Sequence, residues 1–471
     1  MSELHMMTIQ GEPMEVKGTA VEALQTQLRG LLLRSGEAGY DAARTIPNGM
    51  IDRRPALIAC CAGVADVRAC VRFAQEHALL VSVRGGGHSV AGAAVCDGGL
   101  MIDLARMQGV RVDPVRQTVR AEGGTTWGGL DHETQAFGLA TTGGVVRSTG
   151  IAGLTLGGGH GFLMRSYGLA CDNLLAVDLV TAEGGFLTAS ANEHADLFWG
   201  VRGGGGNFGI VTSFEYQLHP VGPLLGGLLI YPLGQAREVL RQYRELTSTA
   251  PDALGTLAAL ATLPDGTRAV VFLIAYNGRI EDGEQLLRPL RTFGSPLADQ
   301  VGPMSYIALQ SISEHFNPPG LRNYNRSDYL QALSDEAIAT MVEQFATVPT
   351  PLTHLVIEHL GGAVRRIGPD DTAVAYRDAP YNMLTVAIWE DPAADASTIR
   401  WARDLWERMQ PFSAGGAYIN YMGDEGEDRV RAAYSPAKYA RLVGLKNQYD
   451  PTNLFRLNQN IKPTVSPSPT R

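Results

Sequence analysis

Of the chain's 55 glycines, 29 fall between positions 81 and 210, and no other feature of the sequence constrains the fold as strongly. Glycine loses more conformational freedom on folding than any other residue. Such density therefore marks places where the backbone turns sharply or approaches something closely. The glycines gather at 85–87, 157–159 and 203–206 with different flanks, so they are not copies of one repeat. The first cluster reads VRGGGHS, Val83 to Ser89. Ahead of it, PALIAC is a short apolar run, GVADVRACVRFAQEHA has helical periodicity and LLVSV is rich in β-branched residues. This predicts a strand, a helix and a second strand that delivers the glycines at its end. Backbone bared in this way turns several N–H groups toward one point, a nest for an anion such as a pyrophosphate. A nucleotide cofactor is the first expectation, although RGGGHS has no Walker lysine and no GxGxxG opens a following helix.

Further strands are predicted in GLMIDLARM, QTVRAEGG, LLAVDLVTAEGGFLTA and FGIVTSFEYQL. From about residue 220 glycine thins out. Helical stretches (AREVLRQYRELTS, DEAIATMVEQFATV, ASTIRWARDLWERM) then alternate with strands (RAVVFLIAYNG, THLVIEHLGG, NMLTVAIWED), which predicts a second α+β domain. A helix and a polar, proline-punctuated segment end the chain, with TVSPSPTR expected to fray. A chain of 471 residues that is 45% hydrophobic buries a large core in two or three domains. Its net charge of −9 and lack of a basic run exclude nucleic acid as an expected partner. With no run of eighteen apolar residues and no basic, apolar leader, a soluble cytoplasmic protein away from membranes is expected. Cysteines 60, 61, 70, 96 and 171 have neither CxxC nor zinc spacing, so reduced thiols and no metal are expected.

Five segments matched in order carry a resemblance: VRGGGHSVAGAAVCDGGLMIDLARM, GGVVRSTGIAGLTLGGGHGFLMRSYGLACDNLLAVDLVTA, DLFWGVRGGGGNFGIVTSFEYQL, YINY and YDPTNLFRLNQNIKP. Together they resemble the berberine-bridge-enzyme-like branch of the vanillyl-alcohol-oxidase flavoproteins, over roughly residues 50 to 465. The resemblance implies an α+β protein. A PCMH-type FAD-binding domain of two α/β subdomains (40–218) would precede a substrate domain (219–424) whose antiparallel sheet is covered by helices. Residues 1–39 would form an N-terminal extension with a helix, and 425–471 a berberine-bridge-type segment returning to the FAD domain. FAD is the implied cofactor, its pyrophosphate on the first glycine loop and its ring bound covalently through His88. Many members add a cysteinyl link four residues before the glycine matching Gly150; here that position is Val146, so a single tether is expected. The implied cofactor contacts are Arg84, Gly85, Gly86, Gly87, His88, Ser89, Val146, Thr149, Gly150, Gly153, Leu154, Gly158, Gly159, Gly161, Asn207, Gly209, Ile210, Val211, Tyr418, Asn420, Asn458 and Asn460.

Flavin oxidation needs a base for the hydroxyl, amine or phenol proton. The resemblance points to Tyr421 for that role. On an extended segment Tyr418 and Tyr421 would not share a face, so only one is expected to face the substrate. In VIEHLGG, Glu358 and His359 must point to opposite sides; Glu358 is expected to assist. His160 in GGGHGF carries no assigned role. RTIPNGMIDRRPALIA, Val146, Thr149 and Leu154 are similar to the monocovalent bacterial subgroup that includes the enterocin-pathway flavoenzyme, a flavin-N5-oxide oxygenase. TTGGVV and TGIAGLTLGGG resemble the 6-hydroxynicotine-oxidase type as well. The expected activity is oxidation of a small alcohol, amine or phenolic secondary metabolite. Thr149 would lie on the oxygen side of the flavin, O2 would be the acceptor, and the protein would be a monomer or homodimer. The alternative is an N5-oxide oxygenase.

Overall fold

The computed structural model describes residues 3–464, so the tail expected to fray lies, from Val465 on, outside the described residues. Strand Leu57–Cys60, helix Val64–Glu76 and strand Val81–Arg84 form as the periodicities predict, and both strands pair in parallel with Leu100–Asp103 between them. All residues of Leu57–Cys60 and Leu100–Asp103 are buried, which is why Leu57–Cys60 and Leu100–Ile102 read as unbroken apolar runs rather than alternating ones. The helix lays Val67, Cys70, Val71 and Ala74 on this sheet at i, i+3, i+4 and i+7. Strand Leu31–Leu33 adds an antiparallel edge, so this sheet begins before residue 40. A second, antiparallel sheet follows the order Phe186–Ser190, Leu174–Val180, Ile210–Gln217, Thr118–Glu122, Val110–Asp113. All five cysteines are buried free thiols.

The second half is built on a nine-stranded antiparallel sheet. Its central strands run in the order Leu224–Pro232, Arg268–Tyr276, Leu254–Thr262, His354–His359, Tyr381–Trp389, Arg322–Leu330. Alternation divides each strand between two faces. From Tyr381–Trp389, Met383, Ala387 and Trp389 enter a large core with helices Ala236–Thr249, Ile280–Arg291, Asp335–Phe345 and Asp395–Met409. Leu384, Val386 and Ile388 face the other way, toward the first half of the molecule. That uncovered apolar face is available to roof a cavity.

The C-terminal segment crosses back to the first half. Helix Pro436–Tyr449 starts with proline in its first turn and is capped by Ser435, whose side chain accepts from the Lys438 N–H. Near its end Lys446 is fully buried, and its Nζ donates to Asp450 (2.6 Å), the Asn207 carbonyl (2.9 Å) and the Phe455 carbonyl (3.0 Å). The Asn207 side chain donates to the carbonyls of Gly204 and Gln459 and accepts from the Ile461 N–H. The third glycine cluster and the tail are thereby joined by one buried polar network. Removing one member of a buried ion pair strands its partner, at a cost of about 3–5 kcal/mol. Lys446→Met is expected to lose that much in denaturant unfolding and K446M/D450N to recover part of it. Unchanged unfolding of Lys446→Met would mean that the pair does not anchor the tail.

Candidate active site

A cavity of about 460 Å³ separates the two halves. Loops 85–89 and 144–154 line one side, the apolar sheet face lines the other, and residues 418–422 and 455–459 close it. The first glycine loop has a purpose that sequence reading did not foresee. A Cβ on Gly86 would lie 2.2 Å from the Gly150 nitrogen, and one on Gly150 would lie 2.4 Å from the Gly86 nitrogen. Bare backbone at these two positions lets two loops cross in contact, whereas the sequence suggested only room for phosphates. Gly87 has φ +76° and completes the turn.

The crossing brings His88 to the turn Val146–Thr149. Its Nε2 lies 3.0 Å from Ser148 Oγ and its Nδ1 3.5 Å from Thr149 Oγ1. Burial holds the imidazole below its ordinary pKa, so at neutral pH it is uncharged and keeps a nucleophilic lone pair.

Further along the same cavity, Glu358 is 3% exposed and both its carboxylate oxygens face donors. Tyr421 OH donates to Oε1 at 2.7 Å. His160 Nδ1 lies 2.8 Å from Oε2, and Asn382 Nδ2 donates to the same oxygen at 2.7 Å. Burial alone would raise the Glu358 pKa, but the charge and hydrogen bond of His160, with the bonds from Tyr421 and Asn382, hold it below the ordinary carboxylate value. Tyr421 is displaced the opposite way: burial and then the adjacent carboxylate raise its pKa, leaving a neutral phenol that donates. Tyr418 braces the group. Its ring stacks on His160 at 3.8 Å, and its oxygen accepts from the N–H of Gly159 (2.8 Å), the N–H of His160 (3.1 Å) and Asn420 Nδ2 (2.7 Å). Asn420 is oriented by the Leu154 carbonyl, which only accepts and so fixes the amide nitrogen on that side.

Two expectations are corrected. Tyr418 and Tyr421 both line the cavity, because the segment is a helical turn (Ile419–Tyr421) rather than extended; Tyr421 N–H bonds to the Tyr418 carbonyl and the rings meet edge to face at 4.8 Å. His160, given no role from the sequence, bonds Glu358 directly. Two glycines with positive φ, Gly158 and Gly159, turn the chain so that it does. Asn382 was also missed. It lies directly opposite Glu358 across two strands, a relation visible only once the register is known. The alternation argument holds at Glu358–His359: His359 turns to the helix side beside Tyr381, where burial first and Arg165 second push its pKa down to about 3.

Of the expected cofactor contacts, Gly85 to Ser89, Val146, Thr149, Gly150, Gly153, Leu154, Gly209 to Val211, Tyr418, Asn420 and Asn458 line the cavity. Arg84 instead forms a two-pronged ion pair with Asp103 (2.8 and 2.6 Å) and faces a second cavity of about 260 Å³ on the other side of the glycine loop, beside Gln108 and Thr126. Gly158, Gly159, Gly161, Asn207 and Asn460 lie off the main cavity wall. Gly161 packs on Gly143, whose carbonyl oxygen would be 1.8 Å from an added Cβ. The side-chain oxygens of Asn458 and Asn460 are buried without a protein partner. Those orphaned atoms, the uncharged His88 and the long cavity fit FAD. Among the described residues there is no metal-holding group of His, Cys, Asp or Glu, and no helix long and apolar enough to cross a membrane.

Comparison with known proteins follows the same division. The family model described as an FAD binding domain matches residues 55–190, and the model described as berberine and berberine like matches 417–462. The chain is 32% identical over 439 residues to an FAD-linked oxidoreductase of Dictyostelium discoideum, covering 93% of this chain and 95% of that one. It is 33% identical over 462 residues to (R)-6-hydroxynicotine oxidase of Paenarthrobacter nicotinovorans, covering 94% and 99%. The crystal structure of 6-hydroxy-D-nicotine oxidase from Arthrobacter nicotinovorans superposes with a TM-score of 0.86 at 29% identity, over 92% of this chain and 98% of that one.

Proposed function

Because the chain belongs to the berberine-bridge-like FAD-linked oxidoreductases, we propose that it oxidises a small organic alcohol, amine or phenol with O2 as acceptor and hydrogen peroxide as product. The observation that carries this reading is the single cavity shared by His88 and the Glu358 cluster. Bound FAD would supply the hydride acceptor and would be held by His88 as its one covalent tether, with the 85–89 and 144–154 loops and Asn458 around it. The chain's own residues manage the proton. Tyr421 accepts the substrate's O–H or N–H proton on its oxygen while passing its own proton to Glu358 Oε1, which becomes a neutral acid. His160 and Asn382 keep the other carboxylate oxygen fixed. A carboxylate of low pKa suffices, because the substrate proton becomes strongly acidic as hydride leaves the adjacent carbon. The apolar sheet face excludes water from this exchange.

Aerobic turnover under ¹⁸O₂ tests the proposal. One peroxide per substrate oxidised and no label in the product are expected. Labelled product with little peroxide would replace the oxidase with the N5-oxide oxygenase reading. Thr149, beside His88, is the residue whose Thr149→Val variant should slow reoxidation rather than reduction.

A further inference from the structure

Polar side chains on the cavity roof fall into two groups with hydrocarbon between them. Strands His354–His359, Tyr381–Trp389 and Arg322–Leu330 are neighbours, and residues opposite one another in register share a face. One row is Glu358, Asn382 and Tyr329, the reacting end. Two residues along comes the row Val356, Leu384, Ser327, of which only the hydrocarbon side chains of Val356 and Leu384 line the cavity. Two further along comes the row His354, Val386, Asn325, followed by Ile388 and Asn323. At a strand rise of about 3.3 Å, the four steps from Glu358 to His354 span about 13 Å.

The far row is built to bond something the protein does not provide. Asn325 is 7% exposed, and its Oδ1 and that of Asn323 are buried with no protein partner. His354 is 6% exposed, with Nδ1 3.1 Å from the Leu352 carbonyl. A carbonyl only accepts, so Nδ1 carries the proton and Nε2 remains an acceptor. Burial keeps this imidazole uncharged. Among the described residues no Asp, Lys or Arg lines the cavity, and Glu358 is the one acid there. A carboxylate or ammonium at the far end would therefore be desolvated without a counter-charge. Asn325 Oδ1, an unsatisfied acceptor, and the acceptor His354 Nε2 in the same row instead call for a neutral donor.

We propose that Asn325 and His354 form a distal subsite for an uncharged O–H or N–H group, and that the substrate is an elongated molecule with an apolar body joining that group to the oxidised carbon. This deepens the oxidase reading and rests on it for the identity of the reacting end.

The test is binding to the oxidised holoenzyme, followed by flavin absorbance, of two probes that differ only at the far end: 4-hydroxycinnamyl alcohol and cinnamyl alcohol. The hydroxylated probe is expected to bind about tenfold more tightly, the worth of a well-made hydrogen bond. Asn325→Leu and His354→Phe should each bring the ratio close to one while affinity for cinnamyl alcohol is retained, which also reports that the variants are folded. Equal affinities in wild type, no binding of either probe, or an unchanged ratio in both variants would overturn the subsite. A preserved ratio without peroxide formation from any alcohol, amine or phenol would instead overturn the oxidase reading and leave the subsite standing.

Discussion

Denaturing electrophoresis of the purified protein is expected to leave flavin fluorescence on the polypeptide, and His88→Ala is expected to abolish it completely. Bond formation to a flavin ring needs an imidazole with a free lone pair. Burial lowers the His88 pKa, so the uncharged form prevails at neutral pH. The hydroxyls of Ser148 and Thr149 flank its two nitrogens and set the ring's orientation. A loop of ordinary residues would not place it there, because side chains at Gly86 and Gly150 would drive the two loops apart. Peptide mapping should find flavin on the His88 peptide alone. Val146 offers no thiol at the position of the second link, and the five cysteines are buried elsewhere. Complete release of flavin from denatured wild type, or flavin mass on a cysteine peptide, would refute this assignment.

Glu358→Gln should slow flavin reduction by on the order of 10²–10⁴-fold, the usual worth of a positioned base, with FAD still bound. The rate is read in anaerobic stopped flow with a substrate established by peroxide release. The amide keeps the shape but reverses one bond. If its oxygen faces His160 and Asn382, its NH2 group faces Tyr421, which then has no acceptor for its proton. Tyr421→Phe removes the conduit but not the carboxylate and should cost on the order of 10²-fold. The two losses should not add, since both interrupt one transfer. Because the Glu358 pKa is held below 4.5, the wild-type rate should show no carboxylate limb from neutral pH down to that value and should fall only beneath it; Glu358→Gln should lack the limb. By linkage, the same depression stabilises the fold above the unfolded carboxyl's pKa, a contribution lost as pH falls through the native value. Wild-type reduction rates in Glu358→Gln would place the proton chemistry elsewhere.

Much of this arrangement was legible before any coordinates. The strand, helix and strand before the first glycines, the helices after residue 220 and the opposed directions of Glu358 and His359 follow from periodicities of 3.6 and 2, which are local properties. What failed were inferences about contacts between distant segments. His160 looks idle in the sequence because its partner Glu358 is 198 residues away, and the expectation that only one of Tyr418 and Tyr421 faces the substrate assumes an extended segment where the chain makes a helical turn.

By itself, then, the sequence determined which elements form, which strand faces are apolar and where bare backbone is required, because each of these depends on neighbouring residues. Tertiary structure alone decided what the bare backbone is for and which polar groups meet. At Gly86 the decisive neighbour is Gly150, 64 residues later, and at Glu358 the three donors come from a glycine loop, an adjacent strand and a C-terminal turn. Register and loop crossing fix such meetings, and both are set by packing across the whole molecule rather than by any local pattern.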